Sequence, residues 1–403
     1  MPRAFWFIWC GTLTDRLGNL AMLYLSISLV ARYHFSATFA GLVLGLAGAG
    51  SAVGAIAGGV LTDRIGRKPT LFAANICTAL FTLGLGVVTD AVPIALLVAA
   101  FGISGGVARP ALSSLLLDVV PDDLRARALN LNYWAMNIGF AGAATLSGLL
   151  ADQPRLALFA IDAVSTLSAG LLVVFRVRPP AAPKHSQSRD GGLGTVLRDR
   201  TFMTFVSLQT GMWTVICCLG LMPITMLHHG LRPSLYGSII AVNGVMIVLA
   251  QLFVPRLLRH RSRTATLALC SALVAIGFGA VGFAPNALAL AGTVAIWTVG
   301  EMLSAPVAGT LTADLSPAHL RGRYQGLAAM SFTASGCFAP VLGGLVMDHV
   351  GDLAVWLGCF VLGTAVAIGH LVTGPARERR AAAMRALEAR DAEQPADAEL
   401  ALV

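Results

Sequence analysis

The sequence predicts an all-α membrane protein whose twelve spans form two related six-helix bundles. Apolar segments of bilayer length recur twelve times, basic residues gather on one side of them, and the chain repeats itself at an offset of 196 residues. The 403 residues are 56% hydrophobic and only 12% charged, with a mean hydropathy of +0.77. A soluble chain of ordinary composition carries about twice that charge. The apolar runs fall at roughly 5–31, 37–61, 69–89, 92–117, 128–150, 156–175, 201–228, 234–255, 264–283, 287–313, 324–346 and 352–373. As a helix, each crosses the ~30 Å hydrocarbon core while satisfying its own backbone hydrogen bonds. A soluble core is also apolar, but it does not recur twelve times at spanning length.

The net charge of +8 raises the question of nucleic acid, and the positions of the charges answer it. With the amino terminus placed in the cytoplasm, 23 of the 28 Lys and Arg fall in cytoplasmic segments. Only Arg32, Arg155 and Arg232 fall outside, and only Arg16 and Arg109 within spans. This positive-inside bias places both termini in the cytoplasm of a multi-pass cell-membrane protein. Nucleic acid is not needed to explain the basicity. The expected partners are the lipid bilayer, a small-molecule solute and protons, with the chain acting as a monomer.

The seven cysteines all lie in apolar spans without metal-ligand spacing, so no disulfide framework, metal or cofactor is expected. Met1 to Cys10 superficially resembles a leader, but no small-residue cleavage site follows its apolar stretch. It reads as the start of an uncleaved first helix.

The repeat is free of gaps. A shift of 196 superposes Gly41 on Gly237, Gly48 on Gly244, Arg67 on Arg263, Pro110 on Pro306 and Asp118 on Asp314. It continues through Pro121/Pro317, Leu124/Leu320, Arg125/Arg321, Arg127/Arg323, Gly148/Gly344 and Asp152/Asp348. Six helices therefore recur in one orientation, a parallel repeat with a solute site expected at mid-membrane between the halves. Residues 1–178 and 201–374 are the expected bundles. The Pro-, Ser- and Gly-rich stretch 179–200 is the expected cytoplasmic linker. The Ala/Arg/Glu-rich tail 375–403 suits either a charged cytoplasmic helix or disorder.

After span 2, Gly58 to Lys68 read G-G-V-L-T-D-R-I-G-R-K. From Gly59 this resembles the signature of the major facilitator superfamily, G-x3-D-R-x-G-R-K, at Gly59, Asp63, Arg64, Gly66, Arg67 and Lys68. The resemblance covers about residues 5–373, and spans 10 and 11 resemble the drug:proton antiporter branch. A glycine at position 59 lets a neighbouring helix approach closely. Asp63 can accept hydrogen bonds at a helix N-terminus, where negative charge is favoured. The resemblance makes span 11 that neighbour, closing the cytoplasmic side, and pairs Arg67 with Asp118. The alternative is that Arg64, Arg67 and Lys68 serve only to set topology. In the second half Pro255 and Arg259 replace Gly59 and Asp63, so the gate there is weaker or built differently. The branch usually carries G-P-x-x-G-G on span 5. Here Ala143 to Gly148 lack the proline, and the intact-looking version, Ala339 to Gly344, is on span 11. That departure leaves symport and facilitated diffusion open beside antiport.

Ionisable groups inside a span are costly and are the first candidates for function. Asp15 and Arg16 fall in span 1, Arg109 in span 4, Asp162 in span 6 and Glu301 in span 10. The resemblance implies that spans 1, 4, 7 and 10 line the central cavity. Counted at 1.5 Å per residue, Asp15, Arg109 and Glu301 lie about 14 to 20 Å deep. Asp15, Glu301 and Asp162 are the proton-coupling candidates, against the alternatives of fixed ion pairs or interhelical hydrogen bonds. Arg16, Arg109, Gln209, Trp213, Trp297, Asn137 and Asn243 are the substrate-cavity candidates, with helix packing as the plainer reading of the last five. His228, His229 and His370 are weaker candidates for sensing pH. No P-loop and no H-E-x-x-H cluster occurs, which argues against a self-contained primary pump and against a membrane enzyme. The expected function is secondary transport by alternating access, most simply proton-coupled efflux of a small amphipathic or drug-like compound. The alternatives are a proton-linked or facilitative carrier of a polar metabolite, and a solute-sensing receptor on a transporter fold.

Overall fold

The computed structural model describes residues 1–121, 124–150, 153–177, 193–232, 234–250, 253–254, 257, 261–317 and 320–400. The first bundle comprises α1 (Arg3–Gly18), α2 (Ala21–Ala31), α3 (Ala37–Ile65), α4 (Arg67–Val87), α5 (Ala91–Asp118), α6 (Arg125–Leu149) and α7 (Arg155–Arg176). A short α8 (Leu193–Leu197) falls within the expected linker 179–200, of which residues 179–192 lie outside the described residues, as does residue 178. The second bundle comprises α9 (Arg200–Cys217), α10 (Met222–His228), α11 (Ser234–Ala250), α12 (Arg263–Val281), α13 (Ala287–Asp314), α14 (Arg321–His349) and α15 (Asp352–Leu400). Among the described residues, nine helical stretches are long and apolar enough to cross a membrane.

The remaining three spans depart from plain apolar rods for visible reasons. Span 1 is broken at Asn19–Leu20 into α1 and α2, neither long enough alone. Span 5, α6, opens on the polar run Arg125–Asn132, and the described part of span 8, α11, is 17 residues long. Span 7 is also interrupted, by the 3-10 turn Cys218–Leu221 between α9 and α10. The repeat thus extends to shape, since the first span of each half is broken near its middle.

Both described ends of the chain lie at one face, here the basic end. There the two halves keep separate cores. Phe5, Ile8, Leu71, Leu115, Val120 and Val177 form one, while Val196, Phe202, Leu267, Leu315, Tyr324 and Ala381 form the other. Toward the far end two cores cross between the halves: one joins Leu25, Leu29, Val43 and Phe159 to Leu221, Ile224, Met347 and Val355, and the other joins Ala144 to Met222, Tyr236 and Ile240. The molecule is closed at the far end and parted at the basic end.

The tail is helical through Leu400 and its first turns are anchored. Arg377, 1% exposed, donates to Nδ1 (2.8 Å) and to the carbonyl (2.9 Å) of His370 and lies over the Phe205 ring. His370 therefore accepts at Nδ1 as a packing partner. One turn on, Arg380 pairs with Asp199, whose carboxylate also accepts from Phe202 N (3.0 Å) and Tyr324 Oη (2.7 Å). One buried carboxylate so ties the start of α9, the start of α14 and the tail.

The far-end closure rests on α3 against α14. Cβ atoms built at Gly41 and Gly48 would stand 2.1 Å from the Pro340 carbonyl oxygen and 2.6 Å from that of Gly336. Backbone meets backbone there, and small residues are what allow it. The Pro340-to-Gly344 element belongs to this seam, for a Cβ at Gly344 would lie 2.4 Å from the Ala37 carbonyl oxygen. Asp348 completes it, accepting from Ala37 N (3.0 Å) and Thr38 N (2.7 Å) at the N-terminus of α3, where the Ser36 side chain accepts from Phe39 N. The repeat-related Gly244 does the same work between α11 and α6, packing on Ala141 and Asn137.

Removing a carboxylate cap of this kind costs about 1 kcal/mol. Asp348→Ala is therefore expected to raise the population open at the far end about fivefold. Thiol labelling of Ala40→Cys, in a chain freed of its native cysteines, reads this directly. An unchanged labelling rate would show that Asp348 does not hold the seam.

Candidate central cavity

Between the halves, below the seam, lies a cavity of about 430 Å³. Its polar wall comes from the first half: Thr12, Asp15, Arg16 and Asn19 of span 1, Asn75 of α4, Arg109 of α5, and Asp162 and Thr166 of α7. Thr12, Asp15, Arg16 and Asn19 follow the i, i+3, i+4, i+7 spacing of one helix face. Asp15 and Arg16, adjacent and about 100° apart on the helix, straddle that face, and both reach the cavity. The opposite wall is largely apolar, formed by Cys217, Gly220, Phe332, Gly336 and Pro340, with Phe101 on the first-half side.

Charge in the cavity is uneven. Asp15 accepts from Thr166 Oγ1 at 3.2 Å, and its other oxygen lies 3.8 Å from Arg16 Nε, a loose contact. Arg16 Nε makes no hydrogen bond to a described residue. Asp162 is 3% exposed and partnered. Arg109 is exposed into the cavity, forms no ion pair or hydrogen bond with a described residue, and is near enough to Arg16 for the two to repel.

Several expected site residues lie elsewhere. Glu301 does not line the cavity; its Oε2 accepts from Asn243 Nδ2 at 2.9 Å, and the same amide donates to Thr298 Oγ1 at 3.0 Å. Asn243 and Glu301 thus bind α11 to α13, because that face of α13 turns to its neighbour rather than to the centre. Trp297, 2% exposed, packs on Phe278 with ring centroids 5.3 Å apart. Trp213 stands edge-on behind Phe332 at 5.0 Å, so Phe332 presents the aromatic surface instead. Gln209 is buried, and Asn137 donates to the Tyr133 carbonyl of its own helix at 2.8 Å. Of the seven cavity candidates, only Arg16 and Arg109 line it. Thr12, Asn19 and Asn75 were not singled out, although the span-1 residues share one face with Asp15.

At the basic end the signature residues lie where the two halves are parted. Gly66 has φ +93°, a conformation open to glycine, and it turns the chain from α3 into α4. Arg67 Nε lies 3.0 Å from Asp118 Oδ2, a charge contact without a directed hydrogen bond. The repeat-related Arg263 and Asp314 pair at 2.5 Å. Asp63 and Arg64 are exposed, Lys68 is partly buried, and Asp63 makes no hydrogen bond or ion pair with a described residue. A Cβ at Gly59 would meet nothing within 4 Å, so no helix approaches it here; Gly58 instead packs on Val107 and Pro110 of α5. Pro255 and Arg259 lie outside the described residues.

A helical chain with two repeat-related bundles around a central cavity is a membrane transporter by architecture. The chain belongs to the Major Facilitator Superfamily, whose profile matches residues 8–340 and 217–391. It is 28% identical over 333 residues to the uncharacterized MFS-type transporter YttB of Bacillus subtilis (strain 168), covering 81% of this chain and 84% of that one. It is 25% identical over 353 residues to the multidrug resistance protein MdtH of Cronobacter sakazakii, covering 84% and 87%. Among solved structures, a POT family transporter superposes with a TM-score of 0.80 at 13% identity over 94% of this chain and 97% of that one. The nucleoside transporter NupG, as a variant, superposes with 0.78 at 14%, over 91% and 98%. At such identities the shared feature is the fold.

Cysteines introduced singly for Thr12, Arg109 and Phe332 are expected to react with a small water-soluble thiol reagent. At Gln209, Asn243 and Trp297 they are expected to react at least about tenfold more slowly, because local opening must precede attack. Equal rates across the two sets would refute this placement of the cavity.

Proposed function

We propose that this protein is a proton-linked secondary transporter that expels a small amphipathic compound by alternating access. The observation that carries the reading is the pairing of cores shared between the halves toward the far end with two separate cores at the basic end, around a half-polar, half-apolar cavity. A carrier poised to load from one side needs that arrangement. The positive-inside bias makes the basic end cytoplasmic, so both termini face the cytoplasm and the cavity is open inward. Residues 1–178 and 201–374 then act as the two rocking units, joined by 179–200 and followed by the tail 375–403. The efflux direction is supported by the likeness to MdtH, a multidrug resistance protein by name.

In this inward-open form the cytoplasmic gate is unlatched, with Asp63 exposed and no neighbour at Gly59. The N-cap position of α14, Leu320, supplies no side-chain hydrogen bond. Closing the basic end would bring Asp63 to that N-terminus, where its charge is favoured. Asp15 is the better-placed proton carrier, since it faces the cavity and is held only by Thr166 and a loose contact with Arg16. Asp162 lines the same cavity but is buried, and Glu301 is set apart behind Asn243.

The test is transport by the reconstituted full chain with and without an imposed pH gradient. Asp15→Asn is expected to lose acceleration by the gradient by about tenfold or more while retaining gradient-independent exchange. Glu301→Gln is expected to keep both. Full gradient-driven transport in Asp15→Asn would remove Asp15 from the coupling. A wild type indifferent to the gradient would make the protein a facilitator, and binding without counterflow would make it a sensor.

A further inference from the structure

From the two guanidinium groups in the cavity we infer that the transported compound is an amphipathic anion, its acidic group held between Arg16 and Arg109. This rests on the central cavity being the solute site, and goes further by fixing the sign of the solute's charge. Two like charges facing one cavity repel, and an anion placed between them relieves both. Asp15 cannot serve both, because its free oxygen stands 3.8 Å from Arg16 Nε and its other oxygen accepts from Thr166. Asp162 lies in the same wall but is only 3% exposed, whereas Arg109 is open to the cavity. Arg109 is left with no carboxylate among the described residues.

A planar fork of N–H donors suits a carboxylate, phosphonate or sulfonate, and charge-assisted hydrogen bonds are the strong ones at such a site. The rest of the compound has a matching surface, since Phe101, Phe332 and Pro340 line the same cavity. A cationic amphiphile would find Asp15 held by Thr166 and near Arg16, and Asp162 buried, with Arg109 open against it and Trp213 and Trp297 out of the lining.

The full chain in nanodiscs would be tested for equilibrium binding of 1-naphthaleneacetate, 1-naphthaleneacetamide and 1-naphthylmethylamine at neutral pH. These share a ring system and carry an anionic, a neutral and a cationic head. The acid is expected to bind about tenfold more tightly than the amide, with the amine weakest. Arg109→Gln should reduce the acid-to-amide ratio to about threefold or less, Arg109→Lys should keep more of it, and Phe101→Ala should weaken acid and amide alike without changing their ratio. Because each ratio is taken within one folded preparation, a loss of total protein does not imitate the result. Equal binding of acid and amide, tightest binding of the amine, or an unchanged ratio in Arg109→Gln would overturn the inference while leaving the cavity as the solute site. Binding of none of the three, together with no protection by them of a thiol at Phe332→Cys, would overturn the inference and the cavity reading together.

Discussion

The structure depends on one contact, the backbone-to-backbone seam between α3 and α14. Within a bilayer, apolar side chains gain little by leaving lipid for protein, so association relies on close packing and on polar groups that find partners. Gly41, Gly45 and Gly48 supply the closeness, each facing a carbonyl oxygen of α14. Asp348 supplies the polar partner. The seam ends where the cavity begins, because Gly48, Gly336 and Pro340 belong to its lining. The surfaces that shut the far end are thus continuous with those that line the cavity.

The repeat supplies symmetry of frame and not of chemistry. Repeat-related glycines pack both inter-bundle seams, and repeat-related Arg–Asp pairs join α4 to α5 and α12 to α13. The cavity walls nevertheless differ, with both arginines and both carboxylates on the first half and mostly apolar groups on the second. The one carboxylate of the second half's tenth span, Glu301, is spent on an interhelical hydrogen bond. The charged groups of the cavity therefore fall to the first bundle, and the second offers a largely apolar surface across from them.

Much of this was legible in sequence. Apolar runs at spanning length gave the spans, the constant offset gave the repeat, and the Gly59-to-Lys68 signature gave the family. Asp15, Arg16 and Arg109 were found because charge inside a span has few uses other than function. What stayed hidden was rotation about each helix axis. Glu301, Trp297 and Asn243 lie on spans of the right kind, but an all-apolar helix carries no polar stripe to show which face turns to the centre. The interruption of span 1 was hidden too, because Asn19–Leu20 holds no proline, whereas that of span 7 had a signal in Pro223, which opens α10 and has no N–H for the Leu219 carbonyl. Asp348 was visible only as one identity in the repeat. Its role needed the position of the α3 N-terminus, which no local pattern encodes.

The pair α3 and α14 also shows how one contact can exclude its opposite. The two helices, each of 29 residues, run antiparallel, so each N-terminus lies near the other's C-terminal end. Each also carries an aspartate at its C-terminal end, where the helix dipole disfavours negative charge. Asp348 escapes that penalty by capping α3 at the far end, and on the proposed gate Asp63 would escape it by capping α14 at the basic end. A helix of this length is about 43 Å long, and two such rods in contact at one end diverge at the other when a cavity lies between the bundles. On that proposed gate, one cap forms only as the other breaks. Each removes about the same charge from the same unfavourable position, so the two closed ends can be near in free energy, which a carrier needs if its solute and its protons are to decide which end opens.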